Sequence, residues 1–268
     1  MSSDDLILSE YQNEIDKFRA SLPVEFHDKN SMADVVIFRI LISRDFKYES
    51  STKVVKNYVK ARKDYPEMFV SALDPKLEGI FGQVQTFLPQ VKTYSGQRVF
   101  YTRALDWDPD KYRLSEVCSS IILTLELKSL DCALQKDGFV HVIDAKDIGW
   151  KYVRAFNPTV IHAFGQLVVW YLPVNLKHII VFNTNWAVDL LWKMIKPLLP
   201  KELVERVVMC GKSVEKLSEH FPKEVIEQEK FVPSASERKT YAKDITANDH
   251  VIQSVWDTYM ESRVTPSH

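Results

Sequence analysis

The chain has 268 residues, of which 46 % are hydrophobic and 26 % are charged, as expected of a globular protein with a substantial core. Its formal net charge of −1 excludes an overall positive field that would attract nucleic acid, so any basic patch must be local. Only seven glycines are present, which argues against a glycine-rich phosphate loop and against a turn-rich all-β fold.

The beginning of the chain is predicted to be helical, and we assign residues 5–75 to an N-terminal helical region. Apolar residues recur there at intervals of three and four positions, as on the buried face of an amphipathic helix. Ser9 fits the cap position of the first helix. The segments with this pattern are residues 8–22, 32–46 and 50–65.

The same region carries a local excess of positive charge. Eight Lys and Arg residues lie between Arg39 and Lys63, where only Asp45 and Glu49 oppose them. The cluster fits either a solvated helix face or a patch that faces an anion.

The middle of the chain alternates short β-branched runs with helical segments, which predicts βαβ units and a mainly parallel sheet. We therefore predict an α/β fold in which residues 76–235 form the main domain and residues 236–268 a polar tail with one weak helix. The predicted strands are residues 98–104, 138–144, 177–183 and 205–211. The predicted helices are residues 114–130, 157–173, 186–199 and 213–222.

The predicted helix at 186–199 has almost no polar face. At about 100° per residue, Asp189, Lys193 and Lys196 fall in one stripe only about 60° wide. Such a helix is either fully buried, or it faces an internal cavity on one side and a membrane surface on another. With about fourteen residues and three charges it is too short to cross a bilayer.

Several features bear on the compartment of the protein. The sequence contains three cysteines without metal-ligand spacing, which indicates free thiols in a reducing compartment. The first residues lack a basic segment followed by an apolar run, so we expect no signal peptide. No apolar run reaches about eighteen residues, so we expect no membrane-spanning helix and a cytoplasmic protein.

Motifs for catalysis and cofactor binding are absent from the sequence, so we expect neither enzyme activity nor a metal or cofactor. The residues CGKS at 210–213 resemble the end of a phosphate loop, but Arg206 stands where that loop requires glycine. His141 is an isolated histidine in an apolar strand, which favours a core role. Asp144 and Asp147 follow a predicted strand, where they fit turn and capping roles or a functional site.

Several separated motifs resemble the CRAL-TRIO lipid-transfer family, in particular its tocopherol- and retinaldehyde-binding group. The resemblance covers about residues 10–232, and it implies an N-terminal helical bundle packed on an α/β lipid cage. A mobile gate helix closes the cage in that family and matches residues 186–199, with Trp192 as our candidate for its outer, membrane-facing side. The motifs are RDF at 44–46, WDP at 107–109, the strand ending at Asp144, MIKP at 194–197 and HFP at 220–222.

By matching positions, the resemblance implies an apolar pocket for one lipid. Ile121 and Leu125 stand where tocopherol-binding members have serines, which leaves Ser119, Ser120 and Thr124 as candidate partners for a polar headgroup. The pocket residues implied are Ile121, Ile122, Leu125, Phe139, Ile143, Phe164, Leu167, Val168, Ile179, Val188, Leu191, Ile195 and Leu199.

The resemblance also implies a phosphoinositide-binding cluster at Arg44, Lys177 and Arg206, although Asn175 and Glu202 replace two further basic positions. The expected function is that of a monomeric cytoplasmic carrier with peripheral membrane contact. Its candidate cargo is alpha-tocopherol, a retinoid or a similar lipid. The alternative is a phosphoinositide sensor or adaptor.

Overall fold

The protein is built around one five-stranded sheet with the strand order β1-β2-β3-β4-β5. The computed structural model describes residues 2–27, 32–77, 79–212, 214–227 and 232–261. Strands β1 and β2 are antiparallel, and β2 to β5 are parallel. The α/β class and the mainly parallel sheet predicted from the sequence are thus confirmed. The strands are β1 Gln85–Lys92, β2 Arg98–Arg103, β3 Phe139–Asp144, β4 Leu176–Phe182 and β5 Val207–Gly211.

Helices connect the parallel strands and flank the sheet. A π-helical turn, Leu167–Tyr171, extends the seventh helix, and a 3₁₀ turn, Lys196–Leu198, extends the eighth. Part of the polar tail, residues 262–268, lies outside the described residues. The helices are α1 Ser3–Ser21, α2 Asp34–Ser43, α3 Tyr48–Asp64, α4 Leu114–Lys128, α5 Cys132–Asp137, α6 Trp150–Arg154, α7 Pro158–Gln166, α8 Trp186–Ile195, α9 Lys201–Val204, α10 Val214–Ser218, α11 Lys223–Glu227, α12 Ala235–Ala247 and α13 Asp249–Glu261.

Three local predictions are wrong. The polar tail was expected to contain one weak helix, and it forms two, α12 and α13, with Trp256 of α13 fully buried. Ser9 does not cap the first helix, because Ser2 and Asp5 form a reciprocal capping box that starts α1 seven residues earlier.

Strand β1 went unpredicted because Pro89 interrupts its apolar pattern. An edge strand tolerates that proline here because it lies where the β1–β2 register shifts, between Leu88 and Lys92.

The two faces of the sheet pack against different helices. Val140 and Val142 of β3 lie in a cluster with Leu217 and Phe221, near α10 and α11. The alternate residues of β3 point to the opposite face, which α4, α7 and α8 cover. We call this second side the cavity face.

The helical regions at both ends of the chain pack into the core of the sheet domain. Ile15 of α1, Leu123 of α4 and Trp256 of α13 belong to one buried apolar cluster. Arg39 of α2 forms a fully buried ion pair with Glu126 of α4, at 3.1 Å. The predicted domain boundaries stay predictions, while the core itself is continuous across the three segments.

The three cysteines, Cys118, Cys132 and Cys210, are free thiols buried in the interior. Burial raises the pKa of Cys118 and of Cys132 to about 12, and it also raises the pKa of Cys210. A thiol reacts as its thiolate, so these side chains are chemically inert at neutral pH.

Across the part of the chain that the structure describes, no helix is both long enough and apolar enough to span a bilayer.

Candidate functional site

An apolar cavity lies between the cavity face of the sheet and the helices that follow its strands. Its volume is about 250 Å³. An engineered apolar cavity of about 150 Å³ stays dry and binds benzene, so a space of this size can hold an apolar molecule. The lining residues are Ala104, Trp107, Ile143, Ala145, Ile148, Tyr152, Ile161, Phe164, Ile179, Val181, Val188, Leu191, Trp192, Ile195, Leu199, Leu203, Val207 and Met209.

The wall of this cavity offers apolar surface and little else. Three of its side chains carry a nitrogen or oxygen atom, those of Trp107, Tyr152 and Trp192. Two of these atoms are used elsewhere: the Trp107 Nε1–H donates to the Tyr112 carbonyl at 2.8 Å, and the Tyr152 hydroxyl donates to the Leu105 carbonyl at 3.2 Å. Binding in this space therefore depends on shape and on the removal of apolar surface from water.

Seven of the thirteen predicted pocket residues line the cavity. They come from strands β3 and β4 and from helices α7 and α8, including the segment that follows α8. These residues are Ile143, Phe164, Ile179, Val188, Leu191, Ile195 and Leu199.

The other six do not line it, because the space they were expected to border is filled. All six are buried in the apolar core that α4 and α7 share with the N-terminal helices. The gap left beside Leu125 and Phe139 measures about 10 Å³, at or below the volume that one water molecule needs. The six residues are Ile121, Ile122, Leu125, Phe139, Leu167 and Val168.

Eleven of the eighteen lining residues were not predicted. Val181 lies two positions after the predicted residue Ile179, so strand alternation was a usable signal for it. Trp107 and others lie in loops, where no periodic pattern indicates which side chains turn inward.

The start of α8 is held by a specific set of hydrogen bonds. The Asn185 side chain caps the helix by accepting from the N–H groups of Ala187 and Val188. Its Nδ2 donates to the Ile148 carbonyl at 2.9 Å, in the loop after β3. The N-terminus of α8 is thereby fixed to the edge of the sheet.

Helix α8 is not fully buried. Only Ala187 and Val188 are buried within it, while Trp186 is 54 % exposed. The expectation for Trp192 is wrong, because this side chain lines the cavity and is half-buried. The exposed indole at the start of α8 is instead Trp186, whose ring lies 5.1 Å from that of exposed Trp150 on α6.

The segment after α8 approaches helix α7 closely at Gly165. A Cβ atom there would lie 2.7 Å from Leu199 Cδ2 and 3.1 Å from Pro200 Cδ. His162 Nδ1 lies 3.1 Å from the Leu198 carbonyl oxygen. This end of the helix is therefore held by tight packing and by a solvent-accessible hydrogen bond.

Arg44 and Arg206, two of the predicted phosphoinositide residues, are close enough to influence each other. Burial, together with the Arg206 charge, lowers the pKa of Arg44 to about 10, and burial lowers the pKa of Arg206. Their guanidinium groups donate to main-chain carbonyls, Arg44 to Val169 at 2.8 Å and Arg206 to Leu176 at 3.0 Å. Lys177 follows Leu176 on β4.

Other basic residues of the N-terminal region are already paired. Besides the buried Arg39–Glu126 pair, Lys53 contacts Glu49 and Lys60 contacts Asp64 within α3. The contacts within α3 favour the solvated-face interpretation for Lys53 and Lys60, whereas Arg39 is buried.

The hydroxyl groups expected to meet a polar headgroup are occupied within α4. Ser119 donates to the Ser115 and Glu67 carbonyls, Ser120 to the Val117 carbonyl, and Thr124 to the Ser120 carbonyl. They satisfy helix carbonyls and do not line the cavity.

Asp144 has a structural role. Its carboxylate accepts hydrogen bonds from the Lys146 N–H, the Tyr101 hydroxyl and the Asn183 Nδ2, at 3.0, 3.3 and 2.8 Å. The turn and capping interpretation is thus confirmed for this residue.

A mainly parallel sheet covered by helices, with an apolar cavity between the two layers, is an architecture suited to hold an apolar molecule. The family model described as the CRAL/TRIO domain matches residues 83–230, more than half of the chain. The protein belongs to the CRAL-TRIO family, whose members bind and transfer lipids.

The chain is also similar to several individual proteins. Clavesin-2 from Homo sapiens is 25 % identical over 199 residues, covering 73 % of this chain and 61 % of that protein. Alpha-tocopherol transfer protein-like from Homo sapiens is 24 % identical over 200 residues, covering 74 % of this chain and 58 % of that protein. The matched region thus spans about three fifths of these relatives. The crystal structure of Sfh5 aligns with a TM-score of 0.45 at 14 % identity, covering 81 % of this chain and 83 % of that chain.

Proposed function

We propose that this protein is a carrier that holds one hydrophobic lipid in the apolar cavity and exchanges it at a membrane surface. Cargo of the alpha-tocopherol or retinoid type is compatible with the wall, because both are largely hydrocarbon. Helix α8 acts as the gate, since it forms one side of the cavity and also has an exposed end. The observation that carries the proposal is the cavity of about 250 Å³ beneath α8 with its apolar wall.

The energetics of such a site need no catalytic group. Burying about 400 Å² of apolar ligand surface at about 25 cal/mol per Å² contributes on the order of 10 kcal/mol before the entropy of association is subtracted. Release then requires the gate to move, and contact of its exposed apolar residues with a bilayer interface offsets the cost of opening.

Loading of the cavity is tested with diphenylhexatriene, a hydrocarbon probe that fluoresces in apolar surroundings. The substitution Leu191→Trp fills the cavity, so we expect it to weaken probe binding at least about tenfold, equivalent to about 1.4 kcal/mol. Leu190→Trp is the matched control, because Leu190 is the adjacent residue of α8 and does not line the cavity. Failure of the folded wild-type protein to bind the probe would contradict the proposal.

A phosphoinositide sensor is the second candidate function, favoured by the proximity of Arg44 and Arg206. Within the described residues, neither guanidinium has an ion pair, so both could meet a phosphate. Arg44 holds two main-chain carbonyls, those of Val169 and Leu172, whereas Arg206 holds one, so replacement of Arg206 disturbs the fold less.

The sensor hypothesis predicts that Lys177→Gln with Arg206→Gln weakens binding to phosphoinositide vesicles more than to phosphatidylserine vesicles of equal total charge. Lys201→Gln with Lys212→Gln removes the same charge from exposed positions and serves as the control. Equal losses for the two pairs of substitutions would show only general electrostatic attraction. Probe loading is measured in parallel, and we expect it to be unchanged.

A further inference from the structure

Three polar side chains lie together on the cavity face of the sheet. Gln85 of β1 is paired in register with Thr102 of β2. The Thr102 hydroxyl lies 2.8 Å from Nε2 of His141 on β3. All three side chains are less than a tenth exposed. A polar group of this kind is expensive to bury, so it requires a physical explanation.

Gln85 is the member of this cluster that the protein itself does not satisfy. Among the described residues, neither its Nε2 nor its Oε1 has a hydrogen-bond partner. On folding, such an amide loses its hydrogen bonds to water and forms none with the protein, which destabilises the fold. A bound molecule that offers a donor and an acceptor would restore both interactions.

The cluster lies next to a residue that lines the cavity. Thr102 of β2 is paired in register with the lining residue Ile143 of β3, and His141 precedes Ile143 by two positions on the same strand. Residues two apart on a strand point to the same side, about 6.5 Å from each other. The polar cluster is therefore the continuation of the cavity wall along β2 and β3.

The chemistry of the cluster favours an uncharged group. Burial lowers the pKa of His141 to about 3, so its ring is neutral at physiological pH. No cationic side chain belongs to the cluster to balance a carboxylate or phosphate. A neutral hydroxyl both donates and accepts, which matches the amide of Gln85.

We propose that Gln85, Thr102 and His141 form a headgroup subsite that receives the hydroxyl group of an otherwise apolar lipid. The proposal rests on the carrier function and goes further, because it assigns the cargo to the class of lipid alcohols. Gln85 supplies the unused donor and acceptor, while Thr102 and His141 form the neutral polar floor next to it.

The test compares phytol with phytane, which share one branched hydrocarbon skeleton and differ by the hydroxyl group and the adjacent double bond. Both compete with diphenylhexatriene for the wild-type protein. We expect phytol to bind about tenfold more tightly than phytane, as one well-placed hydrogen-bonding group would produce. In Gln85→Leu that preference should fall to about twofold or less, with binding of the probe and of phytane retained.

Thr86→Val is the matched control. Thr86 is the next residue of β1, is buried, and has a hydroxyl without a partner among the described residues, but it points to the opposite face of the sheet. Its replacement should keep the full preference for phytol. A loss equal to that of Gln85→Leu would overturn the proposal.

Two further results separate the subsite from the carrier function. Equal affinities of the wild-type protein for phytol and phytane would overturn the subsite and leave the carrier function intact, whereas no binding of probe or of either lipid would overturn both. The melting temperature of unliganded Gln85→Leu should equal or exceed that of wild type, because the substitution removes an unsatisfied amide. A clear decrease would show that the amide has a structural partner and would overturn the subsite.

Discussion

His141 lies on the cavity face of β3, where burial lowers its pKa from 6.5 to about 3. In the unfolded chain the imidazole binds a proton below about pH 6.5, while in the folded protein it stays neutral down to about pH 3. The unfolded state therefore binds more protons between these values, and stability decreases as the pH falls through this window.

This difference predicts the behaviour of His141→Gln, which retains a hydrogen-bonding side chain and does not titrate. Between pH 7.5 and pH 5 the wild-type protein should lose about 2 kcal/mol more unfolding free energy than the variant. Urea titrations at the two pH values measure this difference. Parallel losses in both proteins would show that His141 is protonated in the folded state or that the site is hydrated.

Helix α8 is the element on which the proposed carrier function depends. Trp150 and Trp186 follow the carboxyl ends of the adjacent parallel strands β3 and β4, so their exposed rings meet at one edge of the sheet. Indole side chains are enriched at the interface between membrane and water. This pair is therefore the part of the gate region best suited to contact a bilayer.

The double substitution Trp150→Glu with Trp186→Glu should slow transfer of diphenylhexatriene from protein to phosphatidylcholine vesicles about tenfold, the effect of losing about 1.4 kcal/mol of interfacial contact. Loading should be unchanged, because neither residue lines the cavity. Tyr94→Glu is the control, since Tyr94 is equally exposed but lies in the β1–β2 hairpin at the opposite edge. Unchanged transfer in the double variant would contradict docking through the tryptophan pair.

The elements also show what the sequence could and could not specify. Strands β2 to β5 were predicted because their β-branched runs are bounded by turn residues, whereas β1 was missed because of Pro89. The apolar character of residues 186–199 indicated that this helix has apolar surroundings on two of its sides. It could not indicate that Trp192 faces inward, because a helix with so narrow a polar stripe gives little information on its rotation about its axis.

Prediction of the site had a similar limit. Matching residue positions to the family predicted that Ile143, Ile179 and Leu191 line a pocket, and in the structure they line the cavity. At these positions strand or helix periodicity agrees with the family pattern. The same matching predicted that Leu125 lines a pocket. In the structure neighbouring side chains fill that space, and matching of positions cannot anticipate this because the remaining volume depends on how all of those side chains pack together.

At the scale of the whole molecule, the Arg39–Glu126 pair connects the N-terminal helices to the sheet domain. Both side chains are buried, and Glu126 also accepts from the Tyr58 hydroxyl at 2.6 Å. Removing one member of such a pair leaves an uncompensated buried charge. The junction between the two regions is therefore sensitive to single substitutions.

Arg39→Met should lower the unfolding free energy by about 3–5 kcal/mol, and the further substitution Glu126→Gln should recover at least about 1 kcal/mol of it by removing the stranded charge. Urea unfolding followed by tryptophan fluorescence and by far-ultraviolet circular dichroism measures both values. We expect the two signals to change together, because α2, α4 and α13 share one core. Two separate transitions would show that the N-terminal helices unfold as an independent unit.

The burial of Cys118, Cys132 and Cys210 has a practical consequence for the study of gate movement. A new cysteine placed at an exposed position of α8, such as Asp189, would react with a maleimide dye far faster than the three native thiols. A fluorescent label at that single position would then report movement of α8 through the change in its surroundings, with the natural interior left unaltered.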